Sequence, residues 1–278
     1  MLSPTSRALT GALGVLYAAL GVVLFLVPAW SATNFAWNVS PFVAMTMGGW
    51  CLGLAVYAMV AARSWRWPAV HPCLITLWAF GVLEAAVVIV HRSALRLDVA
   101  VAWLYLLAVG LTVVATVVGI LDWVRRRSAL TAEGRPVPWW VRAMLLAFFA
   151  FVLVLGVMLL ARTTPSQGGI FPERLTLFTL RAFGAFYTSL AIGTIPTLFA
   201  RGLAPVLAFT WTGVALIVPI LAAAVVNLDK FDFVARPDGL IYIGAYVIAL
   251  VGVVILKGYG QLASPVPGRD VLPAEAVR

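Results

Sequence analysis

Apolar residues run in eight windows, roughly 8–28, 42–62, 70–90, 99–121, 140–161, 177–200, 204–227 and 239–257, each close to the ~20 residues that a helix needs to cross a bilayer. Between them stand residues that end helices or demand water: Pro28, Asn38 and Pro41; Arg63 to Pro68; His91 to Asp98; Asp122 to Pro138; Arg162 to Pro172; Arg201 and Gly202; Asn227 to Asp238. The pattern predicts an all-α, polytopic transmembrane helical bundle of eight spans. Arg7 precedes the first window, but residues 27–32 offer no small-x-small cleavage site. That window therefore reads as an uncleaved span rather than a signal peptide.

Composition agrees. Of 278 residues, 63% are apolar and 10% charged, against about 45–50% and about 25% in soluble domains, which excludes a soluble fold. The net charge of +9 does not point to nucleic acid, because the cations sit in small groups between apolar runs, with no basic stripe interleaved with aromatics. Twelve Lys and Arg fall on the side of the N-terminus and six on the other, with Arg181 inside a window. This bias predicts a plasma (inner) membrane protein of bacterial type with both termini cytoplasmic. Arg125 to Arg127 serve that orientation, and Asp122 is spaced to pair with Arg126 at i+4. Trp30, Phe35 and Trp37 read as interfacial anchors. Cys51 and Cys73 differ in depth by about 10–15 Å at the helical rise, too far for a disulfide, and read as buried thiols.

The chain also repeats itself. Arg7-Ala8 and Gly21-Val22 match Arg142-Ala143 and Gly156-Val157 at an offset of 135, the segment Phe35 to Trp50 runs beside Phe171 to Phe186 at 136, and Arg96-Leu-Asp98 lines up with Arg236-Pro-Asp238. The predicted organisation is a four-helix transmembrane repeat over 1–127, a cytoplasmic connection over 128–136, a second repeat over 137–260 and an irregular tail over 261–278. An even number of spans per unit makes the repeats parallel, related by an axis along the membrane normal.

The pattern Phe-x-x-x-[Val/Leu]-[Ser/Thr]-x-Phe-x-x-x-x-x-Gly at Phe35 to Gly48 and Phe171 to Gly184, with Asn227 to Phe233 and Arg236-Pro237 before the last window, resembles a group of multi-pass bacterial membrane proteins with a duplicated four-helix unit. The resemblance covers most of the chain. That group often carries Arg at the positions of Met45 and Arg181, so the first repeat departs from it. No activity is attached to the group, and the resemblance implies an architecture without a reaction or ligand.

Two ionisable residues lie well inside windows: Glu84 in the third and Arg181 in the sixth. A carboxylate there must be paired, hydrated or protonated, since a lone charge at mid-span costs about 2.5–3.5 kcal/mol on insertion scales. Counted from the outer ends of their helices, the two depths agree within roughly 3–5 Å. The expectation is an intramembrane polar pair, Glu84 with Arg181, where the repeats meet. Thr188, two turns beyond Arg181 on a face with Gly184 and Ala185, is the candidate polar lining. Gly49 to Gly53 matches GxxxG and predicts close internal packing. His91, Arg96, Asp98, Asp229, Asp232, Arg236 and Asp238 form the candidate polar cap on the outer face. His71 and His91 stand about 30 Å apart along one helix and cannot share a metal.

No phosphate loop, HExxH, GxSxG or metal-ligand spacing occurs, so no catalytic, cofactor-binding or metal residue is assigned. The function expected is that of a non-catalytic accessory, scaffold or lipid-interacting membrane protein. Its partners are membrane lipids, with a protein partner or a second copy admitted and nucleic acid excluded. Two alternatives stand: a small proton-coupled transporter or channel for an apolar or lipid-like solute, with its site between the repeats, and a membrane-embedded enzyme on a lipid substrate using Asp229, Asp232 and Asp238.

Overall fold

A computed structural model describes residues 3–126, 135–165 and 170–262. The described residues are 81% helix, and among them there is no strand, only an isolated bridge between Pro136 and Gly202. The helices are α1 (Pro4–Leu26), a short α2 (Pro28–Thr33), α3 (Pro41–Ser64), α4 (Trp67–Val90), α5 (Ala100–Arg126), α6 (Trp139–Leu160), α7 (Leu177–Leu198), α8 (Ala204–Val226) and α9 (Gly239–Leu262), with single 3₁₀ turns at Arg92–Ala94 and Leu228–Lys230. Seven of them, α1, α3, α4, α5, α6, α8 and α9, are long and apolar enough to cross a membrane. The chain is a multi-pass helical membrane protein. The predicted connection over 128–136 and tail over 261–278 lie largely outside the described residues, as do Arg127 and the side chain of Arg126.

Helix starts follow local chemistry. Ser3, Ser40 and Thr176 cap α1, α3 and α7, each accepting a backbone N–H three residues on, and Pro4 and Pro41 fill first-turn positions where no donor is needed. Helix ends are tied by cations. Arg7 Nε donates to Ala62 O (2.7 Å) at the end of α3, and Arg142 Nη2 donates to Ala200 O (2.9 Å) beyond the end of α7.

Two central helices organise the bundle. α3 packs on α1 and α8, and α7 packs on α6 and α4, while α4 also touches α8. Contact is close because glycines face each other. A Cβ on Gly48 would lie 2.7 Å from Phe25 N, and one on Gly184 would lie 2.7 Å from Leu160 N. Gly49 and Gly53 face Ile220 and Leu216 of α8, so the GxxxG match serves internal packing, as expected. α7 is 22 residues long but carries Arg181 and several Thr and Ser; most of it is buried by neighbouring helices. Trp50 of α3 stacks on Phe186 of α7, with centroids 4.3 Å apart, where the two central helices meet. Cys51 and Cys73 are free and buried. Phe35 and Trp37 correct the sequence reading: both are essentially inaccessible, folded under the helix ends, and only Trp30 of the three is exposed.

Candidate functional site

Glu84 and Arg181 are each held by other partners rather than by each other. Glu84 of α4 is 1% exposed and accepts a hydrogen bond from Tyr105 of α5, while its second carboxyl oxygen is buried without a partner. Arg181 of α7 donates through Nη1 to His91 Nε2 (3.2 Å) and through Nη2 to Arg162 O (3.0 Å). The expected ion pair is therefore not made. Aromatic rings occupy the space between: Tyr105 packs on Trp37 (5.2 Å), Trp37 stacks on Phe178 (4.0 Å), and Phe178 stacks on His91 (4.9 Å). Trp37 is fixed there by its own Nε1, which donates to Thr179 Oγ1 (3.0 Å). Arg can only donate, so His91 offers an unprotonated Nε2 and is neutral in this contact. Partial burial, and then the Arg181 charge, lower its affinity for a proton.

Thr188 is not a polar lining. Its hydroxyl is buried without a partner against Gly156, inside the crossing of α6 and α7. The predicted outer cap does not converge either. Only His91 turns inward; Asp98, Asp229, Asp232, Arg236 and Asp238 are exposed, and half-buried Arg96 is held through its backbone N–H to Ala36 O (2.7 Å). Asp232 accepts from Ala235 N (2.9 Å), a local turn bond. The contact that does form at this end of the bundle is one the sequence reading missed. Glu173 pairs with Lys230 and accepts from the hydroxyl of Ser40, tying the segment before α7 to the α8–α9 connection and the start of α3. On the opposite side Asp122 accepts from Ser3 N and Ser6 Oγ (3.1 Å), joining α5 to the start of α1.

A wide opening lies elsewhere, between α6, α8 and α9. It is a crevice of about 630 Å³, walled by Met144 to Phe151, Phe209 to Ile217 and Leu240 to Val253, with Tyr57 of α3 at its floor. Such a volume is in the range of small-molecule sites, about 300–1,000 Å³. Along α9 it runs about 20 Å at 1.5 Å per residue. Its rim residues Phe151, Ile241 and Ile248 are exposed, so it opens sideways among residues that face outward. A smaller recess of about 80 Å³ shares Tyr57, Phe148, Gly213 and Ala245 with it and adds Tyr187, Tyr242 and Tyr246. No Asp, Glu, Lys, Arg or His lines either space. No sequence motif marks the crevice; the nearest signal is the glycine series Gly244 and Gly252 on α9 with Gly213 on α8. Among the described residues no group of three or more His, Cys, Asp or Glu stands close enough to hold a metal.

These features define the class, a multi-pass helical membrane protein with a lateral apolar crevice. No protein family, curated protein or solved structure matches the chain.

Proposed function

We propose that this is a non-catalytic, lipid-interacting protein of the bacterial plasma membrane, built from two parallel four-helix units and holding the apolar chain of a membrane lipid in the α6–α8–α9 crevice. The crevice carries the reading. Its walls are apolar and it opens sideways, so in a bilayer an acyl or isoprenoid chain enters it from the lipid phase without crossing water. It runs about 20 Å, more than half of a hydrocarbon core of about 30 Å, so the guest is a long chain rather than a compact solute.

Duplication is supported by contacts between matched positions. Ser40 and Thr176, both helix caps, stand 136 positions apart, as do Trp50 and Phe186, which stack on each other. Arg181 with His91 has its counterpart in Met45 with Asn227, again 136 apart, where Asn227 Nδ2 points at Met45 Sδ (3.9 Å). The glycine crossings Gly21–Gly48 and Gly156–Gly184 match in the same way. On this reading α7 is the eighth span, its polar side chains screened from lipid by α4 and α6, and the Lys/Arg bias leaves both termini in the cytoplasm. Transport through a site between the units has less support, because Glu84 is enclosed and does not line the crevice.

The test is lipid retention. Purified in mild detergent and examined by native mass spectrometry, the protein is expected to keep a lipid adduct at near one per chain. Gly244→Phe, which projects into open space in the crevice wall, is expected to remove the adduct while leaving unfolding unchanged. An adduct that persists in a folded Gly244→Phe protein overturns the assignment.

A further inference from the structure

We infer that the tyrosine recess at the inner side of the crevice selects an uncharged amphiphile, whose polar end accepts a hydrogen bond from the Tyr187–Tyr246 hydroxyl pair while its chain lies along α9. The inference rests on the crevice being a lipid site and adds the chemistry of the guest.

Beside Tyr57, three more tyrosines line the recess, and all three are nine-tenths or more buried: Tyr187, Tyr242 and Tyr246. One hydrogen bond joins them, between the hydroxyls of Tyr187 and Tyr246 at 2.8 Å. The Tyr242 hydroxyl is buried and makes no hydrogen bond of normal geometry; the hydroxyls of Thr46 and Tyr246 are its polar neighbours, and its ring packs on Tyr246 with centroids 5.2 Å apart. Each hydroxyl carries one proton and two lone pairs. A run of hydroxyls bonded to one another still keeps one terminal proton without an acceptor, and buried donors are ordinarily satisfied. A carbonyl or hydroxyl oxygen entering from the crevice supplies what is missing.

Depth and charge exclude the other head groups. Tyr246 lies seven residues into α9 and Tyr187 ten into α7, about 10–15 Å from the helix ends, so a polar end reaching them sits inside the hydrocarbon core. A phosphate or carboxylate there needs a countercharge, and no cation lines the recess or the crevice. The nearest candidate along α9, Lys257, is one turn past Val253 and lies over the Trp211 ring, 3.4 Å from its centroid, at the end of the helix away from the tyrosines. A hydroxyl, ester or ketone fits; a charged head does not.

The experiment uses two probes with one chain and different heads, photoactivatable oleyl alcohol and photoactivatable oleyl sulfate, in phosphatidylcholine vesicles holding the full-length protein. Labelled peptides are identified by mass spectrometry. The alcohol is expected to label α6 and α9 at least about tenfold more than the sulfate, whose charge finds no counter-ion in the recess or the crevice. Tyr187→Phe with Tyr246→Phe is expected to lower labelling by the alcohol about fivefold, the worth of roughly one buried hydrogen bond, and to leave the sulfate's weak labelling where it was; Tyr246→Phe alone serves if the double variant unfolds. Equal labelling of the native protein, or alcohol labelling untouched by the tyrosine variants, overturns the head-group inference and leaves the crevice reading standing. Labelling of α6 and α9 that survives Gly244→Phe overturns the crevice reading itself.

Discussion

The two ends of the chain build similar helix sets and close them differently. Over residues 3–126, α1 lies against α5 and polar bonds lace the pair: Tyr17 to Thr112 at 2.8 Å in the middle, and Asp122 to Ser3 and Ser6 at the end. Over 135–262, α6 and α9 meet at one end through Trp140 and Tyr259, 5.4 Å apart, and through Met144 against Gly252, and beyond that contact they leave the crevice. The difference teaches how a membrane protein holds an opening without collapse. In lipid, helices gain nothing from hiding apolar surface from water, so association rests on packing and polar bonds. Where those bonds are absent the helices part at little cost, provided that the exposed walls are apolar and acyl chains take the place of side chains.

What both ends share should break first. Gly48→Val and Gly184→Val each drive a Cβ to 2.7 Å from a backbone nitrogen of the facing helix, which a rotamer change cannot relieve. Each is expected to destabilise by about 3 kcal/mol, the upper part of the overpacking range, read from SDS or thermal unfolding in detergent. If one is tolerated and the other is not, the two crossings are not equivalent and the duplication loses its main support.

Next comes bulk added to the sealed side against bulk added to the open side. A side chain at Gly81 would strike Thr112 at 2.5 Å, whereas one at Gly244 meets nothing within 4 Å. Gly81→Leu is expected to cost about 1–3 kcal/mol. Gly244→Leu should be neutral or stabilising by up to about 1 kcal/mol through its better helix propensity. Equal losses in the two variants would mean that the crevice closes in the bilayer.

A smaller contrast sits in the two hydroxyl contacts. Tyr105→Phe leaves Glu84 with no donor, and a buried group deprived of its partner costs about 1–3 kcal/mol. Tyr246→Phe removes a neutral bond worth about 0.5–1.5 kcal/mol, and a bound guest's oxygen loses its donor at the same time. Unfolding measured after delipidation separates these, because the Tyr246 effect then shrinks to the hydroxyl pair alone.

The parts of this comparison were unevenly legible in the residues. Hydropathy placed every long helix, since length and apolarity are local properties, and Glu84 stood out because a carboxyl in such a run is rare. Its partner did not, because Tyr105 is supplied by a neighbouring helix whose rotation no local pattern records. The partner of Arg181 was no more legible: His91 and Asn227 stand 136 positions apart, as do Met45 and Arg181, but only the folded helices bring each pair together. Phe35 and Trp37 look like interfacial anchors by composition and are core by topology. The crevice left no mark of its own, being made by two helices that part, and only glycines hint at it.

The matched pairs also yield the smallest effect, one in pH. Burial and the Arg181 charge hold His91 below its ordinary value of 6.5. Just under pH 6.5 the unfolded chain therefore binds a proton that the folded chain refuses, so stability falls as pH drops through that window and levels off below the depressed folded value. His91 is half-buried, and screening by the solvent it still meets keeps the slope shallow. Unfolding midpoints measured from about pH 8 down to about pH 5, the span in which histidine changes charge, should show the fall. His91→Asn gives this corner the residue that stands at the matched position, Asn227. It supplies Arg181 with a carbonyl acceptor that does not titrate, so the fall should disappear while the midpoint near pH 8 is kept. A slope that survives His91→Asn would place the proton on another group and leave the Arg181–His91 contact a packing feature, no different in kind from Met45 against Asn227.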